Sequence, residues 1–364
     1  MDIHRIAILT LACSAAVGAS DAARAQSCAG DVDGSGGVNA VDLGILLSQW
    51  GASGAGGASA DLNGDGAVDA IDLATLLAGW GPCVEVPPWA TLVEALPDPS
   101  VVTEPELRAA IAATGRAWRV RDTATQIEML LVPPGAFQMG CVPSLAFACS
   151  DDEYPVHDVV LTKPFYIGRH EVTQAQWTAV VGANPSYFQG AAYPNAANRP
   201  VEKVSWHELA HFLKPTGMRL PTEAEWEFAC RGGTTAAFHG CVAFPDGAED
   251  DALLGEIAWY AANNGASGTP TFGTKPVGQK AGNGFGLHDM AGNVREWVAD
   301  WYGGSWYAWS PVSDPIGPAT GSDRVVRGGA WIDGSNTCRT SNRHYFPPVT
   351  TGSVFVGFRV ARDP

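Results

Sequence analysis

An internal repeat with a period of 30 residues constrains the N-terminal part of this 364-residue chain more than any other feature. The segment that begins at Asp31 recurs from Asp61, and a Trp-Gly pair follows each copy. Within each copy, oxygen-bearing residues stand at loop positions 1, 3, 5, 9 and 12, position 6 is Gly, and position 7 can offer a backbone carbonyl. This spacing is the oxygen cage that a Ca²⁺ ion requires. The predicted ligands are Asp31, Asp33, Ser35, Gly37, Asn39 and Asp42 in the first loop, and Asp61, Asn63, Asp65, Ala67, Asp69 and Asp72 in the second.

The two loops differ in charge, because the first has Ser35 at position 5 where the second has Asp65. We therefore expect the first loop to bind calcium more weakly. Both loops end in Asp and continue into a short apolar segment with helical spacing. Residues 28–83 thus resemble a type I dockerin, a small all-α, EF-hand-like module that docks onto a cohesin. The resemblance implies a cohesin-like or cell-surface partner, whereas the simpler alternative is a pair of Asp/Gly-rich turns without metal.

The extreme N-terminus has the organisation of a secretory signal. His4 and Arg5 precede an apolar run over residues 6–17, and the small residues Ala23 and Ala25 mark a cleavage site. The run is too short to span a bilayer, and no later stretch is long and apolar enough to do so. Residues 1–25 are therefore predicted to be a signal peptide, which places the mature chain in the periplasm or outside the cell. Lipidation at Cys13 is the alternative.

Seven cysteines remain after this cleavage, and an oxidising compartment favours disulfides. Three pairs flank compact segments, and we expect them to be bridged. They are Cys28 with Cys83, Cys141 with Cys149, and Cys230 with Cys241. Cys338 is left over, and an odd cysteine in a secreted protein indicates a free thiol or an intermolecular partner.

Net charge limits the possible partners of the chain, and the distribution of Pro and of periodic segments indicates its domain boundaries. A net charge of −16 argues against nucleic acid or anionic membrane as a partner. Residues 84–102 are rich in Pro and lack periodicity, so they are predicted to be a linker. A helix and a strand are expected over residues 103–126, ahead of a main domain over residues 127–362 in which short elements alternate with long loops.

Eight sequence blocks occur in order along this main domain. They cover residues 129–140, 155–157, 165–173, 200–206, 219–229, 286–297, 327–331 and 357–359. Together they resemble the formylglycine-generating enzyme, or sulfatase-modifying factor, family. The resemblance implies an α+β fold similar to a C-type lectin, with little regular secondary structure and stabilised by calcium. It also implies a calcium site at Asp289, Glu296 and the carbonyls of Gly292 and Val294, because these are hard oxygen ligands.

Active members of that family oxidise a cysteine of a sulfatase polypeptide to formylglycine with Cu(I) and O₂, and two thiolates five residues apart hold the metal. Counted from the Gly-Gly block, Cys338 takes the first position and Arg343 replaces the second. Half of the copper site is then missing, which predicts a diverged or non-oxidase member. A lone Cys338 activated by Arg339 and Arg343, which would lower the pKa of its thiol, is one possibility, and an inert buried thiol is the other.

Two further functions compete with oxidation. His207, Glu208 and His211 match the His-Glu-x-x-His pattern of zinc hydrolases on a predicted helix, although Glu208 also fits a helix cap with Ser205. Thirteen Trp residues on a loop-rich scaffold instead suit a calcium-stabilised module that binds peptide or glycan. Whether the chain is an enzyme therefore depends on the surroundings of Cys338.

Overall fold

A computed structural model describes residues 28–53, 59–142, 147–350 and 352–364. The predicted signal peptide, residues 1–25, lies outside these described ranges. Among the described helices, none combines the length and the apolar character needed to cross a membrane.

The N-terminal repeat folds as two short helices, Ala40–Ser48 and Ala70–Ala78, each preceded by its loop. The strands Gly37–Val38 and Gly81–Pro82 pair antiparallel and join the first loop to the end of the module. Repeat-related side chains such as Leu46 and Leu76 fill a small core of their own. A disulfide joins Cys28 to Cys83, as predicted, and closes the ends of a module whose apolar core is too small to be robust alone.

The Pro-rich segment after this module is not a free spacer, contrary to the linker prediction for residues 84–102. Its strand Ala90–Glu94 pairs antiparallel with Arg119–Asp122 and forms the edge of the largest sheet. The Glu85 N–H donates to the carbonyl of Gly115 at 2.8 Å. The Trp89 ring packs edge-on against Tyr166 at 5.4 Å. Because Pro-rich sequences resemble both linkers and edge strands, only these pairings reveal which one this segment is.

The main domain contains two larger sheets, a hairpin and a short parallel pair. The five-stranded antiparallel sheet runs in the order Ala361–Arg362, Phe165–Gly168, Glu128–Val132, Arg119–Asp122 and Ala90–Glu94. The four-stranded sheet runs in the order His344–Phe346, Arg324–Arg327, Arg295–Trp301 and Val356–Phe358. The hairpin pairs Gly135–Met139 with His157–Leu161, and the parallel pair is Ala258–Trp259 with Ala291–Gly292.

Short helices and long loops connect these strands, and the helix Glu223–Arg231 packs against the four-stranded sheet and the hairpin. The α-helices are Pro105–Ala112, Gln174–Val181, Ala210–Thr216, Glu223–Arg231 and Leu254–Ile257. Glu223–Arg231 opens on a capping box in which the Thr222 hydroxyl accepts from the Glu225 N–H, as its Thr-Glu-Ala-Glu sequence requires. Trp118, Trp226 and Trp297 are fully buried in the core that this helix shares with both sheets. The predicted α+β fold with little regular structure is confirmed.

Candidate functional site

The first of the two predicted calcium loops brings its acidic side chains together. Asp31, Asp33 and Asp42 offer carboxylate oxygens that lie within 4.8 Å of one another. Asp42, at position 12, is buried and accepts hydrogen bonds from the N–H groups of Val32 at 2.8 Å and Asn39 at 2.8 Å. Burial alone would raise the pKa of Asp42, but these backbone donors and that of Asp33 outweigh it and lower the pKa. The residue therefore stays ionised inside the loop.

The second loop repeats this geometry. Asp72 accepts from the N–H groups of Leu62 at 2.7 Å and Asp69 at 2.8 Å, and the Asp69 N–H in particular lowers its pKa against the effect of burial. Asp61 accepts from the N–H of Gly66 at 2.9 Å. Gly66, at position 6, has φ of +89°, which a side chain would strain and which gives the loop its sharp turn. The atoms that each loop could offer to a metal ion are all oxygens. Such a ligand set fits Ca²⁺ and not a soft transition metal.

Cys338 lies at the end of the 3₁₀ turn Ser335–Cys338 and is buried. Its neighbours form a mostly apolar cluster that includes Phe238, Cys241 and Ile257. Burial raises the pKa of the Cys338 thiol, and the nearby Asp333 carboxylate raises it further, against a smaller lowering by Arg295. The thiol is therefore protonated at neutral pH, the opposite of an activated nucleophile.

Arg339 and Arg343 do not activate this thiol, which corrects the sequence prediction. The Arg339 guanidinium donates to Glu153 at 2.7 and 2.8 Å, and that of Arg343 donates to Glu223 at 2.7 and 2.9 Å. Each arginine is buried in its own ion pair with a carboxylate from another part of the chain. Since their charges are already neutralised by these partners, neither contributes noticeably to the field at Cys338.

The residue five positions from Cys338 that shares its surroundings is Asp333, before the thiol, and not Arg343 after it. Arg295 holds the Asp333 carboxylate with two hydrogen bonds, at 2.9 and 2.7 Å. The register predicted from sequence therefore ran in the wrong direction. A protonated thiol beside a carboxylate–guanidinium pair does not provide the two soft ligands that Cu(I) requires, so the residues of this site do not fit copper.

The remaining cysteine predictions have mixed outcomes. The Cys141–Cys149 disulfide is present, with the Cα atoms 5.8 Å apart. Cys230 and Cys241 are both buried and unpaired, so their predicted bridge is wrong. Cys230 lies on the helix Glu223–Arg231 within the main core, whereas Cys241 belongs to the separate cluster around Cys338. Their closeness in sequence does not bring their side chains together.

The two acidic residues of the calcium site predicted around Asp289 are both buried in the main domain. Glu296 forms a buried ion pair with Arg359 at 2.8 Å and accepts from the Trp226 indole N–H at 2.6 Å. Asp289 accepts from the Gly278 N–H at 2.6 Å, and its other carboxylate oxygen is buried without a partner. Arg359 supplies one positive charge to a cluster of three carboxylates, Glu171, Asp289 and Glu296, so the calcium site stays a prediction. The Gly292 and Val294 N–H groups donate to the Gly328 carbonyl and the Glu171 carboxylate, and these bonds hold the turn in place.

Sequence reasoning missed the residues that organise this region. Glu171 is buried and accepts from Asn293 at 2.9 Å, and its pKa is raised well above the usual range by burial and by the neighbouring Asp289 and Glu296. Arg359 supplies the compensating positive charge. The only sequence signal for Glu171 and Arg359 was their presence in the ordered blocks. Glu171 belongs to no motif whose spacing would have indicated its role.

The zinc-hydrolase pattern does not form a metal site. His207, Glu208 and His211 are exposed, and His207 and Glu208 precede the helix Ala210–Thr216. The Glu208 carboxylate accepts from the Ser205 N–H at 2.8 Å and from its hydroxyl at 2.7 Å, the cap that also fitted the sequence. Among the described residues, these three side chains do not bring ligand atoms together.

A buried ionic network occupies the centre of the main domain. Glu227 contacts both Arg231, at 2.7 Å, and Arg327, and Arg327 lies 5.3 Å over the Trp226 ring. Glu223, one turn earlier on the same helix, binds Arg343. These two carboxylates of the helix Glu223–Arg231 are therefore buried, whereas Glu225 on the same helix is partly exposed.

Comparison with known proteins gives two family matches. Residues 102–364 match the sulfatase-modifying factor enzyme 1-like domain, and residues 29–78 match the dockerin type I domain. The chain is 31% identical to the formylglycine-generating enzyme of Streptomyces coelicolor over a match that covers 74% of this chain and 96% of that protein. It is also 31% identical to the chaperone protein LppX of Paenibacillus barcinonensis over a match that covers 65% of this chain and 89% of that protein.

Solved structures agree on the fold. PvdO from Pseudomonas aeruginosa aligns with a TM-score of 0.56 and 29% identity, over 68% of this chain and 98% of its own. Treponema denticola variable protein 1 aligns with a TM-score of 0.55 and 29% identity, over 65% of this chain and 95% of its own. Since these relatives carry different names on one fold, activity has to be argued from the site.

Proposed function

The chain belongs to the family of sulfatase-modifying factor enzyme 1-like domains, and from that premise we propose that it is a diverged member which recognises a polypeptide without oxidising it. One observation carries the proposal: Cys338 is buried as a neutral thiol beside the Asp333–Arg295 ion pair, where a copper site needs a second thiolate. In this proposal the protein keeps the fold of the family but has lost the copper-binding site.

Aromatic side chains near this ion pair support recognition. The Arg295 guanidinium lies 5.8 Å from the Phe346 ring and 5.2 Å from the Phe355 ring. Tyr345, on the same strand as Phe346, is 44% exposed and stacks on Tyr302 at 4.0 Å. We call the stacked pair Tyr302 and Tyr345 the aromatic patch. Rigid, half-exposed rings provide contact area at a low entropic cost, which suits binding to an extended peptide.

A peptide oxidation assay tests the loss of oxidase activity. A peptide containing Cys-x-Pro-x-Arg is incubated with the reduced protein, Cu(I) and O₂, and aldehyde is measured by mass spectrometry. We expect none from the wild type or from Cys338→Ser. Asp333→Cys places a second thiol five residues before Cys338, and we expect it to gain stoichiometric Cu(I) binding. Aldehyde formation by the wild type that disappears in Cys338→Ser would overturn the proposal.

Peptide binding is measured separately, by fluorescence anisotropy with the same peptide. Tyr345→Ala is expected to weaken binding, because the variant removes the exposed ring of the aromatic patch. Tyr187→Ala is the matched control, since Tyr187 is 57% exposed and lies outside the patch. Equal affinities for the two variants would place recognition elsewhere on the domain.

For the N-terminal module, we propose that both loops bind Ca²⁺ and that the module attaches the domain to a cohesin-like partner outside the cytoplasm. Repeat-related Trp50 and Trp80 are 47% and 49% exposed, as expected of contact residues for a partner. Binding to a panel of type I cohesins, measured by surface plasmon resonance, tests the attachment. We expect binding in calcium and none in excess EGTA. Calcium-independent binding to the panel, or no binding in calcium, would refute this attachment.

A further inference from the structure

Three Asn-Gly dipeptides occur in the chain, and the structure places them in different environments. They are Asn63-Gly64, Asn264-Gly265 and Asn283-Gly284. An Asn that precedes Gly is open to deamidation, because the backbone nitrogen of the next residue can attack the side-chain amide carbon and a glycine hinders this attack least. In a folded protein the reaction also requires that the Asn side chain and the glycine backbone are free to rearrange.

Two of these asparagines are held inside the main domain. Asn264 and Asn283 are each 2% exposed. The Asn283 side chain donates to the Ala229 carbonyl at 2.6 Å and to the Cys230 carbonyl at 3.0 Å. The side-chain oxygen of Asn264 accepts from the ammonium of Lys275. Ring closure would break these buried bonds without water to replace them, so both residues are protected by the fold.

The third asparagine lies on the surface of the N-terminal module. Asn63 and Gly64 are both exposed, in the second of the two predicted calcium loops. Gly64 has φ of +74°, and the side of this glycine that a Cβ atom would occupy faces open space. The Asn63 Nδ2 atom donates to Asp65 Oδ2 at 2.9 Å, and Asn63 Oδ1 accepts from the Asp65 N–H at 2.9 Å. Water can replace both of these exposed bonds.

The groups that must rearrange for this reaction are the same groups that are predicted to bind calcium. Asn63 and Asp61 are the predicted ligands at loop positions 3 and 1. The nitrogen that would attack, Gly64 N, donates to Asp61 Oδ1 at 2.8 Å. An ion in the loop would hold both side chains, and with them the Gly64 N–H, in an arrangement that opposes ring closure.

We propose that Asn63 is a site of spontaneous deamidation and that calcium in the second loop protects it. Gly64 N forms a bond to Asn63 Cγ, the Cγ–Nδ2 bond breaks, and the amide nitrogen leaves as ammonia with the proton of Gly64 N. Water then opens the succinimide at either carbonyl carbon, which gives aspartate or isoaspartate. The modification itself is independent of the function proposed above, whereas the protection rests on the calcium binding proposed for this loop.

The two products differ in their effect on the loop. Aspartate at position 63 gives the second loop the carboxylate that Asp33 gives the first at the same position. Isoaspartate continues the chain through its side-chain carbon and adds one methylene to the backbone between Asp61 and Asp65, which displaces these ligands relative to each other. We expect the aspartate form to keep calcium binding and the isoaspartate form to lose it at this loop.

Peptide mapping by mass spectrometry, on the full chain incubated at mildly alkaline pH in excess EGTA, tests the modification. We expect deamidation at Asn63 to be at least about tenfold faster than at Asn264 and Asn283, since these two react only after local unfolding. Asn63→Gln, which keeps the carboxamide but disfavours ring closure, should abolish it in that peptide. Equal rates at the three sites, or deamidation of that peptide in Asn63→Gln, would overturn the proposal.

A parallel incubation in excess calcium tests the protection, after calorimetric titration of the fresh protein. At calcium concentrations well above the dissociation constant, we expect deamidation at Asn63 to slow at least about tenfold. An unchanged rate in a protein that binds calcium at both loops would overturn the protection. Absence of calcium binding would refute both the protection and the calcium binding proposed above, and the rates in EGTA would still decide the modification site.

Calcium titration of aged protein separates the two products. Asn63→Asp is the stable counterpart of the aspartate product and should titrate with two sites. Protein aged in EGTA should lose binding at the second loop in proportion to its isoaspartate content, measured with isoaspartate methyltransferase. Full binding at the second loop in protein rich in isoaspartate would contradict the expected displacement of the ligands.

Discussion

Buried carboxylates have different hydrogen-bond partners in the N-terminal module and in the main domain. In the module, Asp42 and Asp72 are held by backbone N–H groups of their own loops, and residues 28–83 contain no Lys or Arg. In the main domain, Glu227 and Glu296 are held by arginines that are far away in sequence. The module therefore keeps negative charge for a cation to neutralise, whereas the main domain supplies its own cations. The difference predicts which region depends on calcium.

The largest expected effect comes from removing one partner of the buried network in the main domain. Glu227→Ala leaves Arg231 and Arg327, both buried, without their shared carboxylate. We expect the free energy of unfolding of the main domain to fall by about 3–5 kcal/mol, measured by urea denaturation. Glu94→Ala, which breaks the partly exposed pair with Arg119, should cost less than about 1 kcal/mol. Similar losses for both variants would mean that burial does not distinguish these pairs.

Calcium removal should destabilise the N-terminal module and not the main domain. At a free calcium concentration about a thousandfold above the dissociation constant, each bound ion stabilises the module by about 4 kcal/mol. Excess EGTA should therefore lower the unfolding transition of the module in calorimetry and leave that of the main domain in place. An unchanged module transition would refute both loop sites. A main-domain transition that shifted as well would show that the region around Asp289 also binds calcium.

The two regions should also respond to pH in opposite directions. The pKa of Glu202 is raised from 4.5 to about 7, mainly by burial and despite the N–H groups of Phe188 and Tyr187. The protonated form is favoured in the folded state, so its stabilising contribution is complete below pH 4.5 and is lost as the pH rises through about 7. For Asp42 and Asp72 the pKa is lowered, so their contribution is lost only as the pH falls below the usual Asp range.

A pH series of urea denaturation, on the wild type and on Glu202→Gln, measures this difference. The wild-type main domain should lose about 3 kcal/mol more than the variant between pH 4.5 and pH 8, since the variant cannot ionise at this position. Parallel pH profiles for the two proteins would show that Glu202 ionises as readily in the folded domain as in the unfolded chain.

The smallest effect distinguishes the two loops from each other. Ser35→Asp gives the first loop the carboxylate that Asp65 gives the second, and we expect its calcium affinity to rise up to about tenfold. Calcium titration by calorimetry should then change from two unequal sites to two similar ones. Asp65→Ser is the reciprocal variant and should make both sites weak. Equal sites in the wild type would show that position 5 does not set the difference.

Some of the site could be predicted because its geometry is local. The ligands from Asp31 to Asp42 lie within one twelve-residue loop, so the covalent chain already restricts how far apart they can be. The Cys28–Cys83 and Cys141–Cys149 bridges likewise close compact segments. The family assignment was also available from sequence, because eight ordered blocks specify one arrangement of strands and turns.

The rest depended on contacts between distant residues. The five-residue spacing at Cys338 could run towards Asp333 or towards Arg343, and only packing shows that Asp333 shares its surroundings. Cys230 and Cys241 are neighbours in sequence, yet they lie in different hydrophobic clusters.

The two acidic loops, the family and the order of its elements follow from the sequence alone, since they depend on local spacing and on the succession of motifs. Which carboxylates already have an arginine as partner depends on the tertiary fold. An arginine such as Arg359 neutralises Glu296 across 63 positions of sequence, and such a pairing has no local signature. The physical reason is that buried charges require partners, and the fold, not the spacing, selects them.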